Sequence, residues 1–200
     1  MSWDLFQRLA RRAARKIKES KFQPDIIVGL ARGGWVLARV LCDHMGVKDL
    51  VSLKVEHWGV TATPDGKASL RYPFTMDLAG RRALVVDDIT DTGESMRISV
   101  QYVQTLNPRE IRTAALRHIS GSKFVPDYYA EEISWRWVIF PWNYVEDMCH
   151  LVSRARERGA ETVPDIKKKM KELFRIDVDE AEITDILDEI ERRKNLTKTV

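Results

Sequence analysis

Apolar residues along the first two thirds of the chain follow two rhythms. Trp3, Phe6, Ala10, Ala13 and Ile17 recur at helical spacing behind Ser2, whose hydroxyl suits a helix N-cap, so an amphipathic helix opens the chain. The run PDIIVGL then predicts a short buried strand over residues 25–30. After ARGG, the segment WVLARVLCDHMG predicts a helix stopped near Gly46. DLVSLKVE predicts a second strand, RRALVVDD a third, and TGESMRISVQYVQTLN a helix ending before Pro108. EIRTAALRHI predicts a fourth strand, and DYYAEEI and RWVIF two short ones.

Between the second and third strands lies HWGVTATPDGKASLRYPF, a long polar stretch with Pro64, Gly66 and Pro73 and no clear period. Stretches of this kind are usually lids or insertions, and residues 57–73 are the lid candidate. From about Asp147 the pattern becomes helical only. Ile166, Met170 and Leu173 share one face, as do Ile183, Ile186, Leu187 and Ile190. The expected organisation is a domain over residues 1–146 and an all-helical appendage over 147–200. Strands apolar on both faces, alternating with helices, predict an α/β domain whose mostly parallel sheet is covered by helices on both sides. Ligands of such sheets bind beyond the carboxyl ends of strands, where both ARGG and DDITDTG fall.

Composition narrows the chemistry. The 200 residues carry 33 Lys+Arg against 30 Asp+Glu, a net charge of +3. That mild excess suits anionic substrates but is too small to imply nucleic acid. Residues 151–200 hold 12 Lys+Arg and 12 Asp+Glu, so the tail lacks the cationic surplus a DNA reader needs. Cys42 and Cys149 have no metal-ligand spacing and are expected to be free thiols in a reducing compartment. With no membrane-length apolar run and no signal-peptide pattern, a cytoplasmic protein without a membrane partner is expected.

The stretch LVVDDITDTGES concentrates unusual residues. Burying a carboxylate costs several kcal/mol, roughly, unless it is paired, so Asp87 and Asp88 are expected to emerge at a strand end. A strand-to-helix turn offers backbone N–H groups and a positive helix end to an anion. Thr90, Thr92 and Ser95 add hydroxyls, and Gly93 lets the backbone close on a phosphate. Asp87 and Asp88 suit the vicinal hydroxyls of a ribose, or indirect support of a hydrated Mg²⁺.

This order of residues resembles the 5-phosphoribosyl 1-diphosphate (PRPP) signature of type I phosphoribosyltransferases: an apolar run, Asp87 and Asp88, Ile89 and Thr90, then Asp91, Thr92, Gly93, Glu94 and Ser95. GLARGG resembles the diphosphate loop of the same family, with Ala31, Arg32, Gly33 and Gly34 as its members and a cis peptide expected near Ala31–Arg32. The resemblance covers roughly residues 22–142 and leaves the tail unexplained. It implies the type I phosphoribosyltransferase fold, PRPP and a purine base as substrates, pyrophosphate as product, a Mg²⁺ cofactor and a homodimer. In that chemistry Arg32 and Mg²⁺ stabilise the departing diphosphate, and residues 91–95 hold the 5'-phosphate. The lid excludes water, with Tyr72 or Lys67 as its contacts to diphosphate. Asp91 occupies the position of the acid/base that exchanges the proton on purine N7.

RWVIFPW resembles the base-binding segment of the purine-using members, with Trp137 stacking on the ring and Val138 reading its edge through the backbone. One departure bears on the base. The lysine that 6-oxopurine members use to donate to O6 falls here at Ile119, beside Arg117 and His118 and four residues before Lys123. Without a fixed donor the 6-keto group loses a discriminating contact, which favours adenine, giving AMP in purine salvage; guanine, hypoxanthine or xanthine is the alternative. A PRPP-sensing regulator that binds nucleic acid is a further alternative, disfavoured because Arg32 and the loop glycines are kept.

Overall fold

The structure, a computed structural model, describes residues 1–57 and 68–197. Helix α1 (Trp3–Glu19) starts where the Ser2 hydroxyl accepts a hydrogen bond from the Leu5 N–H at 3.2 Å. It buries Phe6, Leu9, Ala10, Ala13, Ala14 and Ile17, whereas Trp3, placed on that face from the sequence, is 54% exposed. The helical stripe narrows at the first turn, where a side chain has no turn before it to lie on. Strand β1 (Ile26–Ala31) is followed by α2 (Gly34–Met45), which Gly46 ends in the left-handed conformation (φ +68). Strand β2 (Leu50–His57) and strand β3 (Ala68–Tyr72) are antiparallel. Then come β4 (Arg82–Thr90), α3 (Glu94–Gln104), β5 (Glu110–Ile119) and β6 (Tyr128–Ile133).

The six strands lie in the order β3-β2-β1-β4-β5-β6, parallel except for β3. β1 therefore has β2 on one side and β4 on the other. The order reverses between β1 and β4, and their carboxyl ends flank the crevice where such sheets bind ligands. One face packs Ile26, Val28, Leu30, Leu53, Val85, Met96 and Val103 into a continuous core.

Three expectations change. Strand β3 lies inside the polar stretch read as a lid. Ala68, Leu70 and Tyr72 alternate along it, a period too short and too polar to stand out in the sequence. Residues 58–67 of that stretch, Lys67 included, lie outside the described residues. RWVIF is not a strand: the ladder stops at Ile133, and Trp135 and Trp137 are 73% and 39% exposed on an irregular segment. Beyond β6, the sheet edge, no further strand is present to take up its backbone hydrogen bonds among the described residues. Finally, β4 runs to Thr90, so Asp87 and Asp88 lie within the strand and not past its end.

The chain divides into two compact units, residues 1–138 and 139–200. The division falls earlier than residue 146, which lies inside α4 (Tyr144–Glu157). With α5 (Val163–Phe174) and α6 (Glu180–Thr197), α4 forms the second unit. Met148, Leu151, Val152, Ile166, Met170 and Ile183 make its own core, each burial contributing about 1.5–3 kcal/mol. Tyr144 donates its hydroxyl to Glu182 at 2.6 Å, and Thr162 and Asp165 cap α5 reciprocally. Among the described residues no helix is long and apolar enough to cross a membrane.

Candidate active site

Two loops meet at the β1/β4 crevice. The first leaves β1 at Ala31, and the Ala31–Arg32 peptide is cis. Arg32 is exposed, and its carbonyl accepts from the Trp35 N–H at 3.3 Å, which turns the chain into α2. Gly33 and Gly34 follow, and their role is close packing. A Cβ on Gly33 would stand 2.0 Å from Asp88 Oδ2, and one on Gly34 would stand 2.6 Å from the Val86 carbonyl and 3.0 Å from Asp87 Oδ1. No other residue fits either position without displacing the twin acids. The two motifs, more than fifty residues apart in sequence, are thus packed against each other.

Asp87 and Asp88 sit on successive β4 positions, and both carboxylates reach the loop of Gly33 and Gly34. Asp88 is 7% exposed, and its N–H donates to Asp87 Oδ1 at 2.9 Å. The Asp87 carboxyl titrates well above the usual carboxylate range. Burial is the main cause, and the neighbouring charges of Asp88 and Asp91 add to it. A partner that brings positive charge or hydroxyl donors would relieve an acid in this condition.

The second loop, residues 91–93, leads from β4 into α3. Asp91 is exposed, and its carboxylate accepts from the Thr92 N–H. The Thr92 hydroxyl accepts weakly from the Glu94 N–H at 3.4 Å. Gly93 caps α3 at φ +81, the left-handed region, and its Cα is overlaid by residues 122–124. An added Cβ would meet Phe124 Cβ at 2.4 Å and Ser122 Oγ at 2.9 Å. The Lys123 N–H donates to the Thr92 carbonyl at 3.3 Å, so the connection after β5 is stitched to this turn. Sequence reasoning gave Gly93 only freedom for a phosphate; the overlay by residues 122–124 is a long-range contact without a local signal.

Two members of the signature face elsewhere. Thr90 is buried, with its Oγ1 3.0 Å from His118 Nδ1, so its hydroxyl locks β4 to β5 and is not a free donor for phosphate. The Glu94 carboxylate holds Arg97, at 2.9 Å from its Nε, on the surface of α3. Ile89 is half-buried within the strand, and Ser95 lies in the first turn of α3.

Trp137 and Val138 end the first unit, on the segment that follows the carboxyl end of β6. β6 is parallel to β5 and β4, so this segment leaves the sheet at the same edge as the two loops. Trp142, in the second unit, stacks on Phe140 with ring centroids 4.9 Å apart. Ile119, at the end of β5, is 5% exposed, while Lys123 is exposed.

Comparison with known proteins agrees with this geometry. Residues 2–147 match the family model of the phosphoribosyl transferase domain. Over 143 residues the chain is 27% identical to a xanthine-guanine phosphoribosyltransferase of Gluconobacter oxydans, covering 72% of this chain and 83% of that protein. It is 26% identical to one from Idiomarina loihiensis, covering 74% and 91%. A crystal structure of a purine phosphoribosyltransferase from Pyrococcus horikoshii superposes with a TM-score of 0.63 at 32% identity, over 71% of this chain and 91% of that one. The chain belongs to the type I phosphoribosyltransferases, on the purine-using branch of that family. It is therefore a pentosyl-transferring enzyme, and the family model leaves residues 148–200 uncovered.

Proposed function

We propose that the chain transfers the phosphoribosyl group of PRPP to N9 of a 6-oxopurine such as guanine, xanthine or hypoxanthine, inverting C1 and releasing pyrophosphate. The observation that carries the transfer is the packing of Gly33 and Gly34 onto Asp88 and Asp87 at the reversal of strand order. In this reading Asp87 and Asp88 accept from the ribose hydroxyls, which relieves the crowding of like charges around Asp87. Asp91, Thr92, Gly93, Glu94 and Ser95 hold the 5'-phosphate, through backbone N–H groups at the start of α3 and through the Thr92 and Ser95 hydroxyls. Ala31, Arg32, Gly33 and Gly34 hold the diphosphate, with Arg32 as its cation. Asp91, exposed at the lip of the turn, exchanges the N7 proton as N9 attacks. Trp137 stacks on the base, and the Val138 backbone reads its edge.

The paired carboxylates, hard oxygen donors pressed together, fit a Mg²⁺ ion. Among the described residues no three acidic, histidine or cysteine side chains gather for a metal, so such an ion would draw its other oxygens from substrate and water. When bound, it would supply neutralisation of diphosphate charge.

The choice of base rests on the relatives that match, two of which are xanthine-guanine enzymes. Lys123 is the candidate O6 donor, because its backbone is tied to the Thr92 carbonyl beside the proposed phosphate turn. Adenine is the second reading, favoured by one observation: buried Ile119 stands where the family's lysine would be. The deciding experiment gives the enzyme PRPP, Mg²⁺ and each of guanine, xanthine, hypoxanthine and adenine, and follows pyrophosphate release. Turnover of a 6-oxopurine but not adenine supports the first reading; turnover of adenine alone replaces it with the second. A homodimer is part of the proposal, and sedimentation of the purified chain at the mass of a monomer would remove it.

A further inference from the structure

Sheet register brings to the diphosphate loop a cation that neither motif contains. Lys54 is the β2 partner of Ala31, the residue that enters the cis peptide to Arg32. Paired strands lie about 4.8 Å apart, so Lys54 borders the loop directly. It is also the last β2 residue paired with β1, and the ladder to β3 shifts register between Lys54 and Val55. Irregularities of this kind bend a strand and re-aim the side chain beside them. Lys54 thus stands where β2 leaves the sheet for the β2–β3 pair.

The surroundings of its ammonium are those of a mobile cation. Nζ lies 2.5 Å from Glu56 Oε1 and 5.6 Å from the centroid of the Tyr72 ring, and its side chain is 32% exposed. Glu56 also faces Arg71 at 3.7 Å, so the group holds two cations and one acid. An exposed pair of this kind is weak and readily exchanged for a stronger anion. A departing diphosphate carries several negative charges, and within the loop Arg32 is the single cationic side chain. A lysine, a compact charge with three donors on a flexible stem, can follow that group as it separates from the sugar.

We infer that Lys54 is a second diphosphate-binding cation, held by Glu56 and Tyr72 until substrate arrives. This rests on the phosphoribosyl-transfer reading above and adds a residue to it. The test compares wild type with Lys54→Ala, Lys54→Arg and Glu56→Gln. Pyrophosphate with Mg²⁺ is titrated by calorimetry, and KM is measured for PRPP and for the base. Lys54→Ala is expected to weaken pyrophosphate and raise the PRPP KM by roughly tenfold to a hundredfold, the scale of a lost charge-assisted hydrogen bond. The KM of the base and the affinity for a purine nucleoside 5'-monophosphate, which has no diphosphate, are expected to stay within about twofold. Lys54→Arg recovers most of the loss, and Glu56→Gln binds pyrophosphate at least as well as wild type. Unchanged pyrophosphate affinity in Lys54→Ala, or an equal loss of monophosphate affinity, overturns the inference while phosphoribosyl transfer stands. A wild-type chain that binds neither pyrophosphate nor PRPP overturns both.

Discussion

The two ends of the parallel sheet use the same residue types in opposite ways. At the amino end, acids meet arginines. Asp25 accepts from Arg82 through the backbone N–H at 2.8 Å, Nε at 3.1 Å and Nη2 at 2.9 Å. Asp127 takes Arg112 at 3.1 Å and the Thr113 N–H at 2.8 Å, and Asp49 takes Arg81. Arg82 pulls the Asp25 carboxyl down to about 2. At the carboxyl end, acids meet acids: Asp87, Asp88 and Asp91 fall within five residues, and Asp87 is pushed up. One acid is drawn down by its arginine, and the other is pushed up by burial and by its acidic neighbours. The shape of the surface does not reveal this. A cleft of about 350 Å³ lies at the amino end, lined by Lys21, Arg82, Glu110, Arg112, Asp127 and Tyr128, several of which already neutralise one another. The electrostatic contrast is the better guide, because groups held in an unfavourable state persist where a ligand relieves them.

The contrast can be broken by substitution. The largest effect is expected at the carboxyl end, where Asp91→Asn should lower kcat by about 10²–10⁴ with PRPP affinity nearly kept. Steady-state kinetics with PRPP and the preferred base check this, and unchanged kcat removes Asp91 from proton transfer. Gly33→Ala comes next. Its Cβ would occupy the position of Asp88 Oδ2, so kcat/KM for PRPP should fall by roughly a hundredfold, the scale of a small misplacement at a reacting centre. A variant with wild-type kcat/KM would mean that the loop need not touch the acids.

Two smaller effects should have opposite signs. Asp87 has a folded pKa above its unfolded value, so its contribution to stability is fully present below about pH 4 and is lost as pH rises through the folded value. Asp87 therefore destabilises the free enzyme at pH 7 relative to pH 4. Asp87→Asn should raise its Tm there by roughly 2–4 °C, with the gain shrinking toward pH 4, while PRPP binding is lost. Asp25 has a depressed pKa, so its contribution is present above about pH 4 and is lost as pH falls toward 2. Asp25→Asn should lower Tm at pH 7 by about a degree or two, because the pair is partly exposed and screened by solvent, and should make little difference near pH 2. Thermal unfolding of both variants across pH 2–8 reads the two slopes. If both substitutions destabilise at pH 7, the two ends do not differ as described.

Much of this was legible along the chain. Apolar runs at strand length, with helices stopped at Gly46 and before Pro108, identified five of the six strands and all the helices of the sheet unit. The PRPP signature and the diphosphate loop are local sequences, and local order suffices to recognise them, including the cis peptide at Ala31–Arg32. Strand β3 escaped because it is short, half-polar and embedded in a polar stretch. RWVIF misled because its apolar residues match a strand, yet among the described residues the sheet ends at β6. Position 119, weighed with Arg117, His118 and Lys123, favoured adenine along the chain; the backbone tie of Lys123 to the Thr92 carbonyl is a contact that local order does not show.

Sequence alone determined which residues carry charge, hydroxyls and conformational freedom, because those are properties of a residue and its near neighbours. Tertiary structure decided which of them meet. It set Gly33 and Gly34 against the acids of β4, turned the Thr90 hydroxyl toward His118, paired Lys54 with Ala31, and lowered the Asp25 carboxyl while raising that of Asp87. Each of these is a register or packing contact between segments far apart in the chain. Strand order and pleat fix such contacts, and no local pattern encodes either.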